Sequence, residues 1–422
     1  MRVLVLVLVL IIFKMRIHGK IYDLEGFDHP GGLEILKLCE DESDCTALFE
    51  SYHAFCDIDN ITHIMKKYER GISDKEDLFT FEHNGFYNTC KRRVRRYINH
   101  RDNSKASLDW FKTIGFSTLL FLYYQYILLF YEPGIIKLHC SLMSGITLMS
   151  LGYNILHDGS HYSISKYPFV NKMVSRVIQG LLLLNHTLWS YHHCIRHHQY
   201  TGMVSLDPDM RNSLPYLRKS LKIKKTYDSF TKNYLVIKLL LFNIIFPGTM
   251  FGQSIMYHLV WVRNNTLWKM NLPYGFFNVW TILQYLISFS FCFSGLYYGG
   301  LYFLAHIIGT NIGYFIGSAP DHDMYSTHLE IENTDYTKDW GEIQVRHSGN
   351  FMNNDTYFTK FYGGINFQIE HHLFPTLNNH KLKSISPIVQ QCCKDFNIPY
   401  TSVDNPITVF KEIVKTYKTV HA

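Results

Sequence analysis

The chain has 422 residues, of which 47% are hydrophobic and 16% aromatic, and its formal net charge at pH 7 is +6. A mean hydropathy of −0.06 excludes a simple bundle of membrane helices, whereas the long apolar runs exclude an ordinary soluble enzyme. Nine cysteines, an odd number without a CxxC pair, argue against a disulfide framework or a structural zinc site. We therefore predict a mixed architecture with membrane-embedded and water-facing parts.

Residues 1–15 form an apolar N-terminal extension. The run from Val3 to Phe13 is too short to span a bilayer, which takes about 20 apolar residues. Lys14 and Arg16 follow it in place of a small-residue cleavage pattern, which argues against a cleaved signal peptide. Its alternation suits either a buried strand or a segment that touches a membrane, and both interpretations stay open.

Residues 16–75 differ in character and carry two separated histidines. The sequence His29-Pro30-Gly31-Gly32 predicts a tight turn that holds one imidazole at a loop edge, because proline fixes φ and glycine tolerates positive φ. Together with His53 and the earlier HGKIYD stretch, this pattern resembles cytochrome b5. The resemblance implies a small α+β domain over residues 16–75 that binds haem b between His29 and His53. Two imidazole ligands leave no open site for dioxygen, which suits electron transfer.

The same region is locally acidic. Eleven Asp and Glu residues from Asp23 to Asp59 face one lysine, Lys37, in a chain that is basic as a whole. An acidic electron donor is steered toward basic surfaces. We therefore expect a basic partner, which is a separate reductase, the rest of this chain, or both.

Residues 76–107 are predicted to be a basic linker. Its KRRVRR run, Lys91 to Arg96, precedes the first long apolar segment and is expected to stay on the cytosolic side. One basic run beside a spanning helix does not favour nucleic-acid binding. Four membrane spans are predicted, at residues 110–131, 134–156, 277–297 and 300–319, with interfacial segments between them.

Three clusters of histidines, here called the histidine boxes, lie near these apolar segments. Within each box the side chains are adjacent or one helical turn apart, so that they can reach a common centre. Imidazole nitrogen suits iron, zinc or copper. Two spans precede the first box and four precede the third, which places all the boxes on the cytosolic face. The predicted ligands are His157 and His161; His193, His197 and His198; and Gln368, His371 and His372.

Other polar residues flank the boxes. His322 follows the fourth span and by position supplies one further ligand. Carboxylates beside the boxes are candidates to accept the outer N–H of liganding imidazoles, which fixes their tautomers. These carboxylates are Asp158, Asp207, Asp209 and Glu370. The remaining histidines lack the spacing of the boxes: we interpret His192 as a surface or supporting residue, and His63, His306 and His347 as structural.

The box motifs HDGSH, HCIRHH followed by QYT, and FQIEHHLFPTL resemble those of membrane fatty-acid desaturases of the front-end class, over residues from about Leu108 to the C-terminus. The resemblance implies an all-α membrane domain over residues 108–422, with four transmembrane helices and interfacial helices. It also implies two non-haem irons that activate dioxygen. Gln368 stands where other desaturases have histidine, and it serves either as a weak oxygen ligand or as a hydrogen-bond partner of the ligands.

The combined resemblances imply an oxygen-dependent front-end desaturase of the endoplasmic reticulum membrane, with haem domain and boxes facing the cytosol. Electrons would come from NADH through a separate cytochrome b5 reductase. The substrate would be a long-chain acyl lipid, carried on coenzyme A or a phospholipid.

Three alternatives remain at this point. A sphingolipid long-chain-base desaturase shares the fusion and the glutamine of the third box. A hydroxylase on the same scaffold would retain an oxygen atom in its product. A non-catalytic membrane haem protein that carries electrons would lack non-haem iron.

Overall fold

The computed structural model describes residues 14–39, 42–182, 184, 186–211, 217–224, 234–244, 296–333 and 337–422. These residues are mostly helical, with two small sheets. The apolar run from Val3 to Phe13 lies outside the described residues, and so does the predicted span 277–297 except for its last two positions.

Residues 14–72, here called the N-terminal unit, form a small α+β structure. Its three strands pair antiparallel in chain order, with an irregularity between Ile21 and Tyr22. The first strand begins at Lys14, inside the predicted extension. The core of the unit is continuous with Tyr191 and Ile195 from the rest of the chain, so the unit is packed against its neighbour. The strands are Lys14–Ile17, Lys20–Asp23 and Glu69–Ile72, and the helices are Leu33–Leu38, Thr46–Tyr52 and Ile58–Met65.

Part of the segment predicted as a linker is a packed helix, Phe86–Ile98. Tyr87, Cys90 and Val94 are spaced for one helix face and are fully buried. The helix lies against Leu382–Asp395, where Arg93 pairs with Asp395 at 2.5 Å. Much of the basic run is therefore the polar face of an amphipathic helix.

Two segments of the described chain, Arg101–Phe130 and Ile135–Ser160, are long and apolar enough to cross a membrane. They match the predicted spans 110–131 and 134–156. Within the first, Leu119 and Leu129 are 70% and 72% exposed, which suits contact with lipid. The helices themselves are Leu108–Phe130 and Ile135–Leu151.

The helix Leu296–Asp323 contains the predicted span 300–319 but does not reach the same level of apolarity. It packs along Ile135–Leu151 with backbones in close approach. A Cβ added at Gly309 would lie 2.0 Å from the carbonyl oxygen of Leu142, and one at Gly145 would lie 2.0 Å from that of His306. Glycines of this kind let membrane helices approach closely. The four-span topology itself stays a prediction.

The remaining elements surround the ends of these helices. A buried cluster around Trp340 and Phe374 encloses the third box, and a two-stranded parallel sheet pairs Asn350–Phe351 with Ser402–Val403. Among the described residues, the further α-helices of four residues or more are Pro168–Leu181, His186–Trp189, Leu235–Ile244, Tyr325–Glu332, Trp340–Arg346, Thr356–Phe361, Gln368–Leu373, Leu382–Asp395 and Pro406–His421.

Candidate metal centre

The first two boxes lie on or beside π-helical segments. Gly152–His157 and Ser190–His197 both have this wider turn, which is found often at functional sites. The one-turn spacing of the boxes led us to expect α-helix. The wider turn instead lets His193 contact both His197 and His198, with ring centroids 5.5 and 4.8 Å apart.

Five predicted ligands converge in one group. One ring nitrogen from each lies within 4.8 Å of those of the other four. The Nε2 atoms of His157 and His193 are 3.0 Å apart, and those of His198 and His371 are 3.1 Å apart. All three boxes contribute to this group, which consists of His157, His161, His193, His198 and His371.

Three further histidines, His197, His322 and His372, form a second group with nitrogens equally close together. Gln368 joins this group, because its Nε2 lies 3.1 Å from the Nε2 atoms of both His322 and His372. His198 and His372 stack with ring centroids 4.4 Å apart, so the two groups are neighbours. The structure thus brings all nine predicted ligands together.

Burial keeps most of these imidazoles neutral. Each of the eight histidines except His322 has at most 9% of its surface exposed. Burial and then the neighbouring imidazoles hold the pKa values of His193, His198 and His371 well below the ordinary value. The pKa of His197 is raised instead: burial opposes its charge, but the carboxylates of Asp207 and Asp209 outweigh that effect.

The second group is supported from behind by hydrogen-bond acceptors. The Nδ1–H of His197 donates to Asp207 at 3.1 Å, and that of His322 donates to the carbonyl of His347 at 2.7 Å. The Nδ1–H of His372 donates to Gln344 Oε1 at 2.9 Å. In the neutral imidazole, each bond places the proton on Nδ1 and leaves Nε2 as a bare nitrogen that faces inward.

In the first group, the Nδ1 of His161 lies 2.8 Å from the hydroxyl of Tyr52, a residue of the N-terminal unit. Within the described part of the chain, His161 Nε2 and Gln368 Oε1 are buried and have no hydrogen-bond partner. Buried polar atoms are almost always satisfied. The unpartnered His161 Nε2 among nine convergent ligands therefore fits a bound metal. A half-turn of the Gln368 amide would bring its unpartnered Oε1 to the position that Nε2 now holds beside His322 and His372.

Only some of the predicted carboxylate supports have that role. Asp207 accepts from His197, and Asp209 lies 3.4 Å from the same ring. His192 is buried and donates to Asp209 at 2.6 Å, so it supports the site through Asp209. Asp158 accepts instead from Trp110, and Glu370 from Tyr400. Asp158 and Glu370 are sequence neighbours of ligands, but their carboxylates accept from Asn378 and Asn350 as well.

The predicted haem ligands also face each other. The rings of His29 and His53 have centroids 6.2 Å apart, and His53 Nδ1–H donates to the Phe49 carbonyl at 2.8 Å, which leaves its Nε2 for a metal. Burial lowers the pKa of His29 to about 4. A Cβ at Gly31 would lie 2.9 Å from the His29 ring, and Gly32 has φ of +88°. Both glycines are therefore needed for this turn. The facing rings of His29 and His53 fit bis-imidazole haem ligation.

Comparison with known proteins decides the family. A family model described as fatty acid desaturase matches residues 135–404, which is more than half of the chain and includes all three boxes. The chain belongs to the fatty acid desaturase family.

Three relatives match this desaturase over most of its length. The acyl-lipid (8-3)-desaturase of Mortierella alpina is 27% identical, with 92% of this chain and 90% of the relative covered. The Delta(5) fatty acid desaturase A of Dictyostelium discoideum is 25% identical, with 92% and 86% covered. The acyl-lipid (8-3)-desaturase of Physcomitrium patens is 26% identical, with 92% and 83% covered. Matches of this extent reach into the N-terminal unit.

Proposed function

We propose that this desaturase is a front-end acyl desaturase. It would introduce a double bond between the carboxyl end and an existing double bond of a long-chain acyl lipid. The observation that carries the proposal is the convergence of eight histidines and Gln368 in two adjacent, buried groups within a desaturase domain. The names of the relatives, which are (8-3) and Delta(5) desaturases, support the front-end class.

The two groups would each hold one iron, the first through His157, His161, His193, His198 and His371, and the second through His197, His322, His372 and Gln368. The irons would supply the dioxygen chemistry of a reaction in which two hydrogens leave adjacent carbons, two electrons and two protons enter, and dioxygen becomes two waters. Neutral imidazoles suit this chemistry, because thiolates would themselves be oxidised.

The acyl chain would lie in the cavity beside the centre. Its wall contains the box residues His157, His193 and His197, so a methylene in the cavity can come close to the metal ligands. Apolar side chains make up much of the remaining wall and would exclude water from the reacting carbons. They include Met149, Leu156, Leu182, Trp189, Phe315 and Ile365.

The electrons would come from haem b held between His29 and His53 in the N-terminal unit. A separate cytochrome b5 reductase would reduce this haem with NADH. Tethering donor and acceptor in one chain raises their effective concentration. The two apolar helices support a membrane location, and we place the enzyme in the endoplasmic reticulum with both sites facing the cytosol.

The test is expression of the full chain in a yeast that lacks polyunsaturated lipids. The cells are fed a panel of acids with existing double bonds, and free, phospholipid and sphingoid fractions are analysed by mass spectrometry. A new double bond on the carboxyl side of an existing one is the expected result, and it also identifies the position and the acyl carrier. Unsaturation confined to sphingoid bases would instead identify a long-chain-base desaturase, and retained oxygen a hydroxylase.

A further inference from the structure

The segments that carry both predicted haem ligands contact the metal centre through two tyrosines. Tyr52, which directly precedes His53, places its hydroxyl 2.8 Å from His161 Nδ1 and 3.1 Å from the carbonyl of Cys194. Tyr162, which directly follows His161, donates its hydroxyl to the carbonyl of Gly31 at 3.1 Å. Gly31 lies two residues after His29. The adjacent residues His161 and Tyr162 therefore bind both haem-ligand segments.

The hydrogen bonds of Tyr52 are compatible with metal binding at His161. When Nε2 of His161 faces a metal, its Nδ1 carries the proton and donates to the Tyr52 oxygen. The Tyr52 O–H is then free to donate to the Cys194 carbonyl. Both donors and both acceptors are satisfied at once, so Tyr52 bridges the two elements with no unpaired group.

Ion pairs hold the N-terminal unit in this orientation. Glu42, which is buried, accepts from Arg196 at 2.9 and 3.1 Å and from the Tyr200 hydroxyl at 2.8 Å. Glu34 pairs with Arg176 at 2.9 Å and lies 3.6 Å from Lys172. Two of the acids that predicted a basic partner thus bind basic residues of the same chain. The pair at Glu42 is buried, so salt screens it less than the more exposed pair at Glu34.

We propose that Tyr52 couples the N-terminal unit electronically to the metal centre of the same chain, through His53, Tyr52 and His161. The inference rests on the proposed function, since it needs haem in the unit and metal in the boxes. His53 and Tyr52 are covalently joined neighbours, and one hydrogen bond separates Tyr52 from His161. With haem and iron bound, each transfer would oxidise one ferrous haem to ferric and deliver one electron to the metal centre. Two transfers serve each double bond, and the protons for water come from solvent.

Tyr52 acts as a positioning residue, and Tyr52→Phe tests it because phenylalanine keeps the ring and removes only the hydroxyl. Purified full-length protein is reduced anaerobically and mixed with oxygen and an acyl substrate, while the haem absorbance is followed by stopped flow. We expect substrate-dependent haem reoxidation to slow by about tenfold. Loss of the outer hydrogen-bond partner of a metal-binding histidine lowers activity by about 10–100-fold. The haem spectrum, the haem midpoint potential and the iron content should stay unchanged.

Two matched variants separate coupling from docking. Tyr200→Phe removes a docking hydrogen bond to Glu42 without touching a histidine, and it should slow reoxidation less than Tyr52→Phe. Tyr97→Phe alters an exposed tyrosine and should leave the rate unchanged. Equal rates in Tyr52→Phe and the unmodified protein would overturn the proposal, as would an equal loss in Tyr200→Phe or a fall of iron content in Tyr52→Phe.

Failure of the proposed function would appear differently. In that case the unmodified protein would lack haem or non-haem iron, or its haem would reoxidise at the same rate with and without substrate. A substrate-dependent rate in the unmodified protein that Tyr52→Phe does not alter would overturn only the role of Tyr52.

Discussion

The two histidine sites of this chain are built in opposite ways. The pair in the N-terminal unit comes from one short stretch, where the turn at His29 and the helix end at His53 present two rings to each other. The candidate metal centre draws its predicted ligands from four separate segments between His157 and His372, and these meet only in the folded core. A site of the first kind depends on local turn chemistry, whereas the second depends on the whole fold.

Removing one histidine from each site tests whether the two sites form independently, and it should have the largest effect. His371→Ala removes a ligand from the centre of the first group and should abolish product and lower bound non-haem iron, while the haem absorbance stays intact. His29→Ala should remove the haem absorbance and leave the iron in place. Metal analysis and optical spectra of the two purified variants check this. Loss of both cofactors in either variant would show that the sites do not form independently.

A second variant tests the close packing of the helices Ile135–Leu151 and Leu296–Asp323, and it should have the next largest effect. Gly309→Ala would force a methyl group against the Leu142 carbonyl at 2.0 Å, and overpacking of this kind costs about 1–3 kcal/mol or more. We expect lower yield and a lower melting temperature in detergent. Gly115→Ala is the matched control, because nothing lies within 4 Å of its added Cβ. A Gly309→Ala protein as stable as the Gly115→Ala protein would contradict the packing described here.

A smaller effect tests the supports behind the ligands. Gln344→Leu removes the acceptor that holds the Nδ1–H of His372, and loss of such a partner lowers metal affinity or activity by about 10–100-fold. Gln391→Leu, at an exposed helix position where Gln391 bonds only to Asp395 among the described residues, serves as the control. Iron affinity measured by competition with a chelator should fall only in the first variant. Equal affinity in both variants would argue that His372 is held without Gln344.

Acid should lower the stability of the metal-free protein, and this is the smallest of the expected effects. Burial lowers the pKa values of several box histidines, including His161, His198 and His372, below those of the unfolded chain. The unfolded state therefore binds more protons below about pH 6.5, and stability is lost as the pH falls through that value. Among the box histidines His197, with a raised pKa, opposes this trend, and so does the carboxyl group of Glu370, whose pKa is raised by burial. Melting temperatures of the metal-free protein should fall from pH 7 to pH 5, and a rise would contradict the neutral assignment.

The histidines that converge in the core were recognisable from the sequence because each box is a local pattern. His193, His197 and His198 are recognisable by spacing alone, although the π-helical turn that presents them was not predicted. Asp207, ten residues from His197, was predicted as a support. Other supports were not predictable, because they come from far along the chain: Tyr52 lies 109 residues from His161, and Thr201, 3.0 Å from His372 Nδ1, lies 171 residues from His372. No local signal marks such partners.

The fold shows the same division. The small α+β unit is compatible with the prediction made from the resemblance to cytochrome b5. The helix Phe86–Ile98 was predicted as linker because its basic run suggested a polar segment, although the spacing of Tyr87, Cys90 and Val94 contains the amphipathic signal. The predicted spans at 110–131 and 134–156 match apolar helices. The approach of Gly145 and Gly309 depends on tertiary packing that the sequence pattern does not contain.

The most direct test of the central claim is the cofactor content of the purified full-length protein. Total iron is measured by mass spectrometry and haem by its absorbance, each relative to protein. We expect one haem and two non-haem irons per chain, with the non-haem iron lost in His371→Ala and the haem retained. A haem-replete protein that holds no non-haem iron would contradict it and would identify the chain as an electron carrier.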